Sequence, residues 1–255
     1  MKFKIIVDIC SNLLISVQPL RLFSQKTVER SQGFIYDSYN LVDEAALAIS
    51  LLPAKGAIVI DGGANAGHWS QSMLTQASGQ RIKKLLMIEP NQFHRSTHHS
   101  IQEKFSGIVQ TDWVALGVKS AVMELHFDTD DSGLASLYNR QINHHGIKLD
   151  KSESVNVEPL TNLVSRHEFD RIDFLKLDLE GHELEALKGA EPLLINHTIR
   201  AMQFEFGGAN IDSRTYLRDF WELLHEKHGY TLYRLIPNRK LIKIEKYSES
   251  LERFT

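Results

Sequence analysis

Apolar residues fall along the chain in two rhythms. Runs such as Ala57-Ile58-Val59-Ile60 and Leu85-Leu86-Met87-Ile88 are short and unbroken, as expected of strands covered on both faces. Between them the spacing turns helical, as in Leu41, Ala45, Ala48, Ile49 and Leu52, closed by Pro53. The pattern predicts a helix over 40–52, a strand over 57–61, a helix over 66–77, a strand over 84–89, a helix over 92–105 and a strand over 108–114. An alternating strand over 121–128 leads into a polar loop that runs to residue 150. Then follow a strand over 153–158, a helix over 160–168, a strand over 172–178, a helix over 182–189, a strand over 199–206, a helix over 214–228 and a strand over 230–236. Residues 239–244 read as the return arm of a hairpin. Strands alternating with helices imply an α/β fold, a mostly parallel sheet with helices on both faces. No internal repeat or low-complexity linker interrupts the pattern. One domain over 40–255 is expected, preceded by an N-terminal helical extension over 1–39.

The start of the chain is apolar from Ile5 to Phe23, but Asp8, Asn12, Gln18 and Pro19 break it. No unbroken span of about 20 apolar residues remains, and Asp8 sits where a signal peptide needs apolar residues. A docked helix from Ile5 to Val17 is the reading. It can cover a site, pair two subunits as a homodimer or touch a membrane surface, and the sequence does not choose among these.

Composition narrows the partners. A formal charge of −3 gives no electrostatic case for nucleic acid, which calls for a basic patch or stripe. The single cysteine, Cys10, precludes an internal disulfide and suits the reducing cytoplasm.

The candidate chemistry begins at Asp61-Gly62-Gly63-Ala64-Asn65-Ala66-Gly67, where a strand runs into a glycine-rich turn and then a helix. That order presents a nucleotide-like ligand at the first strand of a parallel sheet. The spacing differs from the Gly-x-Gly-x-x-Gly of dinucleotide loops. It leans toward a nucleoside ligand without a diphosphate, of which S-adenosylmethionine is the commonest. Gly63 and Gly67 would let the backbone approach the ligand, and Asp61 would accept a hydrogen bond from it. Any sharp strand-to-helix turn also wants glycine. Glu89 ends the next strand, where an acid can accept both ribose hydroxyls; capping a helix is its plainer role. Asp112 and Trp113 end the third strand, where a carboxylate can accept from an adenine amino group and an indole can stack. Ordinary packing would serve both residues equally.

The second informative segment is Lys176-Leu177-Asp178-Leu179-Glu180-Gly181-His182-Glu183. Lys176 and Asp178 share one side of the strand. A buried lysine needs a partner, so Asp178, Asp61 or Glu205 is expected beside it in a structural ion pair. Asp178, Glu180 and His182 would crowd the mouth of the sheet.

The Asp61–Gly67 loop, the Ile88-Glu89-Pro90 that follows and above all residues 176–190 resemble the FkbM-type methyltransferases, over roughly residues 40–236. The resemblance implies a class I, Rossmann-like fold with seven strands that uses S-adenosylmethionine, with O-methylation of a hydroxyl on a sugar or secondary metabolite. Carried over by motif, Asp61, Gly62, Gly63, Asn65 and Gly67 would hold the methionine end and Glu89 the ribose. The segment 178–183 would line the methyl-transfer site. Two departures stand out: His68-Trp69 follows the loop where smaller residues are commoner, suggesting an altered entrance, and a seventh strand would have to come from 241–246.

His182 is the first candidate for a general base, since its ordinary pKa of about 6.5 suits neutral pH. Glu180 is second; both residues serve equally as turn or cap residues. Asp178, Glu180 and Glu205 could converge on a divalent metal, though strand-end carboxylates more often meet lysines or N–H groups, and no metal is expected. His94 and His98 stand four apart on a predicted helix, a spacing zinc can use, but a solvated histidine face is the expectation. The loops 129–150 and 207–215 are expected to select a small-molecule or saccharide acceptor, with Asn210, Asp212 and Arg214 near the opening. Three rivals are a nicotinamide-dependent oxidoreductase, a non-catalytic scaffold that keeps the cofactor pocket, and a nucleic-acid methyltransferase, which the net charge and the lack of an Asn/Asp-Pro-Pro-Tyr/Phe-type base pocket disfavour.

Overall fold

The computed structural model describes residues 41–77, 80–236 and 239–252. The helix expected at 5–17 lies outside them. In chain order the strands are β1 (Ala57–Gly62), β2 (Ile82–Ile88), β3 (Val109–Asp112), β4 (Ala115–Leu116), β5 (Ala121–Phe127), β6 (Lys151–Glu158), β7 (Phe174–Leu177) and β8 (Met202–Phe204). Five of them form a parallel sheet in the order β3-β2-β1-β7-β8. Strands β4, β6 and β5 form a separate three-stranded sheet in which β5 runs antiparallel to β6.

The central sheet thus has five strands among the described residues, not the seven expected. The reason is visible in the alternation of the segments that left it. Val122, Ser152, Ser154 and Asn156 are exposed while Leu125, Val155 and Val157 are buried. A strand with one wet face cannot sit inside a sheet covered on both sides. The segment Leu232–Lys246 belongs to a second compact unit. There β9 (Tyr233–Ile236) pairs antiparallel with β10 (Lys240–Lys243), the hairpin that the sequence suggests.

Helices α1 (Leu41–Leu51), α2 (His68–Gln76) and α3 (Arg95–Lys104) precede α4 (Leu160–Arg166), α5 (Glu183–Gly189) and α6 (Glu191–Ile195). The core joins Ala45 and Ala48 of α1 and Trp69 and Met73 of α2 to Val59, Leu85, Met87 and Phe174 of the sheet. Full burial of each large apolar side chain contributes about 1.5–3 kcal/mol. Strands β1 and β7 are buried along their whole length, as their unbroken apolar runs imply. The helix predicted over 182–189 is followed by an unforeseen one, α6, restarted by Pro192 in its first turn. The long helix predicted over 214–228 is broken. Arg214 takes a left-handed conformation, and a short α-turn over Leu217–Phe220 runs into π-helical turns over Trp221–Lys227. Among the described residues no helix is long and apolar enough to cross a membrane.

Candidate functional site

The chain runs from β1 outward to β2 and β3 on one side of the sheet, and β7 and β8 lie on the other. Strand order therefore reverses between β1 and β7, and open α/β sheets bind ligands beyond the carboxyl ends of the strands at such a point. The glycine loop, Glu89 and Asp178 follow β1, β2 and β7 respectively. A solvent-open cleft has Gly63, Asn65, Glu89, Asp178, Glu180 and His182 in its wall.

Gly63 shows why the loop needs glycine. Its φ is 76°, and a Cβ there would lie 1.8 Å from the Asp178 carbonyl oxygen. The loop thus packs directly on the exit of β7. Asn65 and Gly67 also have positive φ, which delays α2 to His68 instead of residue 66. Gly62 packs between Leu116 and Leu177, where a Cβ would sit 3.0 Å from each. Asp61 turns into the protein. It is fully buried, accepts from Ser70 Oγ at 2.6 Å and lies 3.7 Å from Lys176 Nζ, so it fastens the strand tip to α2. Burial pushes its carboxyl up, against the pull of Lys176 and Ser70. Trp69 likewise belongs to the core and not to an entrance: it stacks on Phe174, with ring centroids 6.0 Å apart.

Glu89 is 5% exposed. One oxygen accepts the Asn65 amide at 2.7 Å and the other the Asn91 amide at 2.9 Å. Burial nevertheless pushes its carboxyl up to about 7. The acid is held at the mouth of the cleft with a free lone pair on each oxygen. Asp112 and Trp113, expected near an adenine, have protein partners. Asp112 accepts from His167 Nε2 at 2.9 Å and lies 3.3 Å from Arg166. Trp113 packs on His98, with centroids 4.9 Å apart, and the Arg95 guanidinium lies 5.4 Å from its ring. His94 and His98 are both buried, contrary to a solvated histidine face; it is His99 that meets solvent and Glu103.

At the exit of β7, Lys176 is buried and donates to Asp178 at 2.9 Å. Burial disfavours its charge, but Asp178 and Asp61 outweigh that and hold the ammonium above its ordinary range. The structural ion pair anticipated for Lys176 is present. Glu183 locks the turn through the amides of Leu179 and Gly181. Glu180, at φ 50°, turns back toward the cleft and is paired with Arg140. Burial and then the neighbouring Asp178 push its carboxyl up to about 7. His182 Nδ1 lies 3.1 Å from the Tyr138 hydroxyl, and burial lowers its pKa. Oxygens of Asp178, Glu180 and Glu205 come within 4.8 Å of one another. Lys176 and Arg140 already offset the charge of the first two.

Several site residues had no signal in the sequence beyond lying in a polar loop. Residues 130–141 form a strap over the cleft, and Gly133, Ala135 and Leu137 line it. Asn91 Nδ2 donates to the Asp130 carbonyl and Asn65 Nδ2 to the Ser132 carbonyl, each at 2.9 Å. On the other side Ser136 Oγ donates to the Glu180 carbonyl at 2.8 Å. Asp212 receives the Gln141 amide and lies 3.7 Å from Arg140. Asn210 is buried and braces its own loop through Gly207 and Thr215, so it does not face an acceptor.

A parallel sheet with a glycine turn, a buried acid and an acidic third loop at its switch point defines a Rossmann-like α/β protein. Residues 61–232 match the model of the methyltransferase FkbM domain. The chain belongs to the FkbM methyltransferase family. A solved structure, methyltransferase FkbM from Methylobacillus flagellatus KT, is similar at 16% identity with a TM-score of 0.49. The match takes in 74% of this chain and 42% of that one, so this chain spans under half of that protein's length. No curated protein matches the chain.

Proposed function

We propose that this methyltransferase is a cytoplasmic enzyme that uses S-adenosylmethionine to O-methylate a hydroxyl of a small molecule or saccharide. The observation that carries the reading is Glu89. A buried carboxylate with one amide on each oxygen retains two acceptor positions, which a ribose diol matches. The close approach of Gly63 to the β7 exit, which a Cβ would block, forms the other side of the same cradle. In this reading Gly63 and Asn65 flank the methionine end, while Asp61, Gly62 and Gly67 hold the loop from behind. When bound, S-adenosylmethionine supplies an electrophilic methyl group.

The chain's own residues must align the acceptor and take its proton. Alignment supplies roughly 7–11 kcal/mol in favourable intramolecular models. Glu180 takes precedence over His182 as proton acceptor. Its carboxyl is poised near neutrality, whereas burial weakens the imidazole as a base and one nitrogen is committed to Tyr138. Asp178 lies beside Glu180, and the strap residues 130–141 present the acceptor.

Calorimetric titration with S-adenosylhomocysteine and with NAD tests the cofactor. Binding of NAD alone would favour an oxidoreductase and overturn the proposal. Labelled cofactor screened against sugars and polyketide-like alcohols tests the reaction. With an acceptor in hand, Glu180→Gln should lose about 10²–10⁴-fold in turnover. The parent's rate should rise with pH through about 7 as Glu180 gives up its proton. A flat profile and an active Glu180→Gln would remove Glu180 from the mechanism. Cofactor binding without transfer to any hydroxyl acceptor would support the scaffold reading instead.

A further inference from the structure

We propose that His98, on a helix behind the cleft, is a positioning residue for the cofactor site: it fixes the backbone of Asn65 and ties the glycine loop to Trp113. The inference rests on the S-adenosylmethionine reading above.

His98 lies on α3 and is fully buried. Its Nε2 is 2.5 Å from the Asn65 carbonyl oxygen. A carbonyl only accepts, so Nε2 must carry a proton. Nδ1 is buried with no partner among the described residues, so a second proton there would be left unsatisfied. The ring is therefore a neutral donor in one tautomer, and its lowered pKa, due mainly to burial, agrees with that.

What it holds is unusual. Asn65 sits at φ 48°, a conformation that a non-glycine residue keeps only when its surroundings enforce it. Each of its other polar groups is engaged. The amide donates to Glu89 Oε2 at 2.7 Å, Nδ2 donates to the strap at Ser132, and Oδ1 accepts the Ala66 amide at 2.7 Å. The carbonyl is the remaining group, and His98 satisfies it. Without that donor the peptide after Asn65 keeps only the Ala66 bond to its own side chain, and the backbone whose amide orients Glu89 loses its anchor to α3. The path from α3 to the ribose acid is thus His98, Asn65, Glu89.

The same ring packs on Trp113 at the end of β3. One turn further along α3, Ile101 occupies the space that a Cβ on Gly67 would enter, at 2.6 Å. Helix and loop therefore meet at two points, and a single histidine links the methionine-side loop to the third strand.

A core filler would share the burial but not the hydrogen bond, and the two are separable. His98→Phe keeps an aromatic ring against Trp113 and cannot donate; His98→Gln retains a donor of similar reach. Calorimetric titration with S-adenosylhomocysteine should show affinity at least about tenfold weaker in His98→Phe, with most of it restored in His98→Gln. Thermal melting of each variant reports whether the fold survives. Undiminished binding by a folded His98→Phe, or equal loss in both folded variants, would overturn the proposal. Should the variants not fold, imidazole ¹⁵N shifts of the parent decide the matter: a proton on Nε2 supports it, and a proton on Nδ1 refutes it. If the parent fails to bind S-adenosylhomocysteine at all, the cofactor reading falls and this inference with it. Normal parent binding with an indifferent His98→Phe removes only the inference.

Discussion

Replacing Lys176 with methionine is the most demanding test of how the sheet carries its buried charge. The ammonium lies 2.9 Å from Asp178 and 3.7 Å from Asp61, and Glu44 on α1 also feels its charge. Asp178 is partly exposed and can rehydrate once its partner is gone. Asp61 cannot: it has no exposed surface and would retain only the Ser70 hydroxyl. Removing one partner of such a buried pair costs about 3–5 kcal/mol, since the other charge is left uncompensated. For a chain of this size about 2–4 °C of melting temperature accompanies each kcal/mol, so Lys176→Met should melt roughly 6–20 °C lower at neutral pH.

The pH dependence has a definite sign. In the parent, the raised lysine pKa contributes stability that is fully present at neutral pH and is lost only above the ordinary lysine range. In the variant, Asp61 has a folded pKa raised well above its unfolded value of about 3.9. Its charged form then destabilises the fold increasingly as pH rises. The deficit should therefore shrink as the pH is lowered and Asp61 takes up a proton. Adding Asp61→Asn should restore part of the loss at neutral pH, because both charges are then gone. Thermal and urea unfolding at several pH values measure this. A Lys176→Met variant that melts within about 2 °C of the parent at every pH would refute the view that Lys176 neutralises Asp61.

Two further outcomes follow from the geometry. Asp112→Asn should weaken the contacts to His167 and Arg166, yet leave S-adenosylhomocysteine affinity unchanged by calorimetry; a large loss would return Asp112 to the cofactor site. Gly63→Ala should abolish cofactor binding and lower the melting temperature, because its Cβ would collide with the Asp178 carbonyl and its φ suits glycine; retained binding would show that the β7 exit gives way.

The parallel sheet was legible because β1, β7 and the Leu85–Ile88 stretch of β2 are buried on both faces and their apolar runs admit little else. The segments over 121–128 and 153–158 misled for the opposite reason. Alternation identifies a strand but not its sheet, and these two found each other. At the site, residues bound to local backbone geometry were readable: Gly63 by its turn and Glu89 by its place at a strand tip. Asp61 and Trp69 carried the same motif signals but turned inward, since side-chain direction at a strand end depends on neighbours far away in sequence. Tyr138 and Arg140 were legible only as members of the loop 129–150, and His98 only as half of a histidine pair. Their roles arise from contacts across 33 to 44 positions, which no local period encodes.

The strap over the cleft is fastened on one flank through its own main chain, since Asn65 and Asn91 donate to the carbonyls of Ser132 and Asp130. A carbonyl anchor is indifferent to the side chain that bears it. Substitution at the exposed Asp130 can therefore recontour the strap without slackening its tether to Asn91, whereas Ser132 is buried and its hydroxyl also accepts the Leu134 amide. An anchor of this kind lets the outward side chain vary while the path of the chain is kept.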